Sequence, residues 1–423
     1  METLFYNPLL LVLIFVSFWE RFTIPLWFSL NASLIVLPVY LLWVVVVAVR
    51  RKVLHQLFIL PKPIVTILLI VLLSQIFSLF ATAFPSKVLN VVVFQCLKFI
   101  ILISVMHASR KSSFSKKMIA SWLWGSSLVA LAAIYQFVVY KFGISPVLFP
   151  EWLLTQMGFV SKALPADHFT FPIGSLLFIR PSSTFIDTNA AAGFLAVSMV
   201  LLINLFIKKD VSRVQPVVLF VLHFVAFSMM LSRSAWVGFI VALGCLFYFR
   251  RQDFGKLHIS KKILVPVGGL LLIPFCFFVF RFFQTLRFAD ESTQGHMSFA
   301  VGALKMWFMN PLTGVGAGTF EQSYIKIIDP SLKTAYSHSI YLQWLAETGI
   351  LGFVANLALV FYVVKESLVS LKKRMSVEVV GLLCGLVVLL VANVLYAYFP
   401  LIPTYVLMGL LLGMSAQADL KAE

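Results

Sequence analysis

Apolar positions in this chain neither alternate in the manner of strands nor recur as stripes on polar helices. They fill long unbroken stretches of roughly 16–25 residues, the length a helix needs to cross a bilayer. Such stretches fall near 5–19, 31–49, 63–84, 88–108, 118–140, 189–207, 216–231, 234–249, 263–283, 348–368, 378–398 and 402–416. Pro25 and Pro38 flank or interrupt the second, where a missing amide donor disturbs a helix. The pattern predicts an all-α, polytopic integral membrane protein with about 12 transmembrane helices. The helices form a single membrane domain over residues 1–423, with no internal repeat to divide it.

Composition strengthens this picture. Hydrophobic residues make up 61% of the chain and charged residues 12%, against about 25% charged in a soluble domain. A net charge of +17 would point to nucleic acid in a soluble protein. Here the bases cluster in short connections: Arg50, Arg51, Lys52 and Lys62; Arg110, Lys111, Lys116 and Lys117; Lys208, Lys209 and Arg213; Arg250, Arg251, Lys256, Lys261 and Lys262; Lys365, Lys372, Lys373 and Arg374. The positive-inside rule makes that side cytoplasmic, with both termini inside, and removes the argument for nucleic acid as a partner. Cys96, Cys245, Cys276 and Cys384 all sit in apolar runs without CxxC spacing, so neither a disulfide framework nor a zinc site is expected. The first apolar run lacks a basic n-region and a small-residue cleavage site, and reads as a retained span.

Two predicted external segments, 141–188 and 284–347, are too long to be simple connections, and chemistry is expected there. No P-loop occurs, and no acidic-x-acidic pair that would hold a metal-bound sugar nucleotide. Gly314, Gly316 and Gly318 in PLTGVGAGTF lack nucleotide-loop spacing and read as a turn needing positive φ. What remains is basic. Arg180 ends the first segment, Arg233 sits in a tight gap between two spans, Arg281 and Arg287 open the second segment, and His338 lies near its end. Arginine near hydrocarbon needs a compensating partner, which a carboxylate, a lipid phosphate or an anionic ligand could each supply. His338 in AYSHSIYLQWLAETGILG is placed in the first turn of a helix starting near Ser337, where the dipole favours neutral imidazole. Glu347 falls on the opposite face of that helix and is assigned a structural role. Asp187, Thr188 and Asn189 read as a helix cap, and Phe299–Phe308 as an amphipathic helix on the membrane surface.

Three stretches resemble a known family, the bacterial O-antigen ligases and O-antigen polymerases. They are RPSSTFIDTNAAAGFL at 180–195, LSRSAWVGF at 231–239, and ALKMWFMNPLTGVGAGTF followed by SHSIYLQWLAETGILG. The resemblance implies a membrane glycosyltransferase of surface polysaccharide assembly, including that of lipopolysaccharide. Its donor is an undecaprenyl-diphosphate-linked glycan and its acceptor a glycan or a lipid A–core type hydroxyl. By this likeness His338 matches the family's essential histidine, and Arg180, Arg233 and Arg287 match its functional arginines, the diphosphate ligands. It further implies the bacterial cytoplasmic (inner) membrane, a site facing the periplasm or cell exterior, no cofactor, no metal, and an inverting reaction. A multi-span transporter or flippase of lipid-linked glycan shares the span count. Such proteins join two halves through a long cytoplasmic link and carry ionisable groups mid-span. Here the corresponding link, 208–215, is short, and only Lys98 and His223 lie mid-span.

Overall fold

A computed structural model of the chain describes residues 6–420 apart from 21–22, 26–28, 53–60, 145–169, 208–213, 255–275, 284–290 and a few isolated positions. Its elements in chain order are α1 (Pro8–Val16), the ribbon β1 (Thr23–Pro25) and β2 (Ser29–Asn31), α2 (Ala32–Arg50), α3 (Lys62–Phe77) and α4 (Pro85–Ser109). There follow α5 (Ser112–Lys141), the ribbon β3 (Thr170–Ile173) and β4 (Leu176–Ile179), α6 (Thr188–Ile207), α7 (Val214–Met230) and α8 (Arg233–Phe254). The last elements are α9 (Glu291–Met309), α10 (Phe320–Ile327), α11 (Ile340–Lys373), α12 (Val377–Ala392) and α13 (Ile402–Leu420). Both ribbons are antiparallel, with Ile24 opposite Leu30 and Phe171 opposite Phe178.

The protein is an all-α polytopic membrane protein apart from these two small ribbons. Among the described residues, six helices are long and apolar enough to cross a membrane: α3 with its following turn, α4, α5, α6, α8 and α11. Four shorter apolar helices, within α2, α7, α12 and α13, accompany them. Most expected spans coincide with a helix to within a few residues, and three do not. The span expected at 5–19 is a nine-residue helix, roughly 13 Å long and too short to cross a hydrocarbon layer of about 30 Å unaided. Asn7 fixes its start, its side chain accepting from the Leu9 amide at 2.9 Å, and Ser17 closes its end by donating to the Ile14 carbonyl at 2.6 Å. The span expected at 378–398 ends at Ala392, and the chain from Asn393 to Leu401 becomes a turn that serves the site. The span expected at 263–283 lies almost wholly outside the described residues.

The centre of the bundle is α6, buried along nearly its whole length, with α8 and α12 packed against it. Side chains on its surface interlock with small residues opposite. A Cβ on Gly381 or Gly385 of α12 would strike Asn204 or Val197 of α6, and one on Gly409 or Gly413 of α13 would strike Leu102, Val105 or Met106 of α4. Both pairs have the four-residue spacing that lets helices approach closely in a bilayer, where van der Waals packing drives association. Buried aromatics fill the space beyond. Phe194 stacks on Phe185 at 5.6 Å, and Phe18 meets Trp122 edge-on at 4.9 Å.

Candidate functional site

The Arg180 stretch and the Arg233 turn are separate in sequence and joined in the fold. Arg180 follows β4. Its Nε donates to the Met230 carbonyl at 2.9 Å and its Nη2 to Asn189 Oδ1 at 3.3 Å. Its own carbonyl accepts from Thr188 Oγ1 at 3.1 Å. Asp187 Oδ1 accepts from the Asn189 amide at 2.6 Å, the cap that opens α6. Met230 ends α7, and Leu231 turns the chain in a left-handed conformation (φ 51°) so that α8 begins at Arg233.

A hydrogen-bonded chain runs from this turn to the start of α11. Ser232 and Ser234 are buried with their hydroxyls 3.3 Å apart. Ser234 lies 3.4 Å from the Tyr398 hydroxyl, which donates to the Asn189 carbonyl at 3.1 Å. The Tyr398 amide donates to Asn393 Oδ1 at 2.7 Å, and the Asn393 carbonyl accepts from the Ile340 amide at 3.1 Å. Ile340 is the first residue of α11, two positions after His338. Gly193 leaves the space that the Tyr398 ring occupies.

His338 stands just outside the helix it was expected to enter. Ser339 is the N-cap and α11 starts at Ile340, so the first-turn placement is corrected. The backbone at His338 is left-handed (φ 49°), a conformation that no helical residue adopts and that costs a side-chain-bearing residue energy. Of the four described non-glycine residues with positive φ, three are Ser183, Leu231 and His338. All three fall in stretches singled out from the sequence, in keeping with the clustering of backbone strain at functional sites. The ring is half-buried. It stacks on His296 of α9 with centroids 3.9 Å apart and planes 8° apart. Phe299, one turn along α9, lies 5.7 Å away, and the exposed Tyr336 ring 6.2 Å away. Burial pushes the imidazole pKa below its ordinary value, and the charge of Asp187 opposes that shift. The neutral state expected of His338 is therefore the one its surroundings favour, through burial instead of the helix dipole.

The remaining residues divide clearly. Glu347 accepts from the Phe320 amide and from Gln343 Nε2, each at 3.1 Å, which is the structural role read from its position. Gly314, Gly316 and Gly318 all have positive φ, and the Gly316 amide donates to the Glu347 carbonyl at 2.9 Å. The amphipathic stretch 299–308 is part of the longer α9, whose Met297, Val301, Leu304 and Phe308 form one exposed apolar stripe. His223 has both ring nitrogens engaged, at 2.9 Å from Ser126 Oγ and 2.7 Å from the Leu219 carbonyl, and serves helix packing. Arg287 and Arg281 lie outside the described residues. Sequence reasoning gave no role to Asn393, Tyr398 or the imidazole of His296, and saw Asp187 only as a cap. The polar run NVLYAYFP at 393–400 was the available signal, since a span rarely holds Asn, two Tyr and Pro so close together.

Residues 217–357 match the family model described as O-antigen ligase. That third of the chain holds Arg233, His338 and Glu347, while Arg180 lies before it. No individual curated relative matches the chain. The matched region runs from α7 through the Arg233 turn and His338 into α11, and over that third this polytopic membrane protein is similar to the O-antigen ligase family.

Proposed function

We propose that this protein transfers a glycan from an undecaprenyl-diphosphate carrier to an acceptor hydroxyl at the external face of the bacterial inner membrane, as a ligase or polymerase of surface polysaccharide assembly. The family match supports the general activity. The observation that carries the finer reading is the hydrogen-bonded chain from the Arg180–Met230 contact through Ser234, Tyr398 and Asn393 to Ile340. It ties a cationic turn to the strained histidine, the two parts such a transfer requires.

In the proposed reaction Arg180, Arg233 and Arg287 hold the donor diphosphate. Guanidinium donors suit it because their planar fork pairs with two oxygens at once and stabilises the charge that develops as the sugar–oxygen bond breaks. Diphosphate leaves without needing a proton. The acceptor hydroxyl attacks the anomeric carbon from the opposite side, which inverts it, and its proton passes to His338. A positioned base of this kind contributes about 10²–10⁴-fold. Cleavage of the activated sugar–oxygen bond to the diphosphate drives the transfer, and the intact diphosphate leaves on its carrier, so neither ATP nor a divalent metal is required.

The test is a reconstituted assay with purified protein. His338→Ala should cut turnover by roughly 10²–10⁴-fold while donor binding changes little, and wild-type transfer should persist in EDTA. The active form of a base is the deprotonated one. Because burial depresses the His338 pKa, the wild-type rate should rise with pH through a midpoint below the ordinary imidazole value, and that limb should vanish in His338→Ala. If His338→Ala transfers within a few fold of wild type, His338 is not the base.

A further inference from the structure

The face-to-face stack of His296 on His338 plays no part in the proposed transfer itself. Histidine has no special claim to that position on packing grounds, since Phe299 one turn away already supplies an apolar ring. Two parallel imidazoles with centroids 3.9 Å apart have a property that an imidazole on phenylalanine lacks. They cannot both carry a proton without direct repulsion. That repulsion weakens the second protonation by roughly tenfold in a watery setting and about a thousandfold at interior dielectric. The stack also covers one face of the His338 ring from water.

We infer that His296 is a positioning residue for the base, an imidazole from α9 that holds the His338 ring in place and keeps it unprotonated at working pH. The inference rests on the reading of His338 as base. Parallel rings at this separation cannot hydrogen-bond to each other, so the acceptor's proton stays on His338 and is not relayed through His296. Among the described residues, the groups facing His338 include His296 and Phe299 from α9, Tyr336 from its own loop, and Asp187 from the entry to α6. Asp187 favours the protonated ring. The His296 face acts in the opposite sense, so the two together set where the base titrates. The placement also gives α9 a purpose. One of its sides carries His296 and Phe299 to the site, and another is the exposed apolar stripe from Met297 to Phe308.

The experiment uses the full chain in nanodiscs and reads His338 directly. Diethylpyrocarbonate acylates neutral imidazole, so its rate of reaction at His338, followed by mass spectrometry from about pH 5 to about pH 8, gives a midpoint without any substrate. In His296→Ala the newly wetted ring should protonate more easily, moving that midpoint up by about one unit. Turnover should fall about tenfold at pH below both midpoints and recover at higher pH. His296→Phe keeps the cover over His338 but removes the second proton site, so its midpoint should fall between those of wild type and His296→Ala. Coincident midpoints in wild type, His296→Ala and His296→Phe would overturn the inference, whatever the turnover. A His338→Ala variant that still transfers overturns the base reading instead, and the reagent midpoints still judge the stack.

Discussion

Replacing Glu347 by alanine gives the most quantitative test of how the site is held. The Glu347 side chain reaches across from α11 to accept from the Phe320 amide at 3.1 Å and from Gln343 at 3.1 Å, and it is also hydrogen-bonded by the Gly318 backbone. It is 7% exposed, so water does not readily replace it. Alanine leaves two backbone donors in a buried turn without an acceptor, at about 1–3 kcal/mol each, or roughly 2–6 kcal/mol together. A single unfolding free energy is poorly defined for a protein of this size and setting, so the effect is best read locally. Opening of the 314–324 turn should become easier by roughly thirtyfold at the low end of that range, at tenfold for every 1.4 kcal/mol. Hydrogen exchange followed by mass spectrometry would report this as lost protection in peptides covering 314–324, with α6 unaffected. Glu347→Gln keeps one acceptor oxygen and should lose much less. Unchanged exchange at 314–324 in Glu347→Ala would mean that the turn is held by its own backbone bonds to Ala346 and Glu347, and would refute the structural role of the carboxylate.

Three further outcomes are expected. Gly349 breaks α11 with φ 64° and sits against the Leu312 and Thr313 backbone, so Gly349→Ala should both strain the chain and displace that turn; a purified variant with wild-type thermal stability and turnover would contradict this. Arg233→Lys keeps the charge but loses the planar fork, and transfer should drop by at least about tenfold at near-normal protein level; normal transfer by both Arg233→Lys and Arg233→Ala would remove Arg233 from the proposed diphosphate site. A cysteine at Ser331, an exposed position, should react with an impermeant thiol reagent in spheroplasts, and one at Ser212 only after permeabilisation; the reverse pattern would invert the orientation and the proposed site with it.

Hydropathy is a local sum, which is why so much of the architecture was readable along the chain. Long apolar runs must become helices in a bilayer because every backbone polar group has to be satisfied within the segment. The boundaries of α4, α6 and α8 accordingly fall close to the expected ones. The stretches around Arg180, Arg233 and His338 were also legible, because cations and a lone imidazole are conspicuous in so apolar a chain. Tertiary structure decided what those stretches do to one another. Arg180 meets a carbonyl 50 residues away, and Tyr398 meets Asn189 across 209. Neither contact leaves a mark in local composition. His338 lost its expected helical turn because the Ile340 amide is taken by Asn393 and the backbone at His338 itself is left-handed. A residue's position relative to a helix cap depends on such distant partners, and hydrophobic periodicity does not register them. The His296 stack has the same origin. It exists because α9 folds back over the start of α11, a fact of packing that two histidines 42 positions apart in a sequence do not announce.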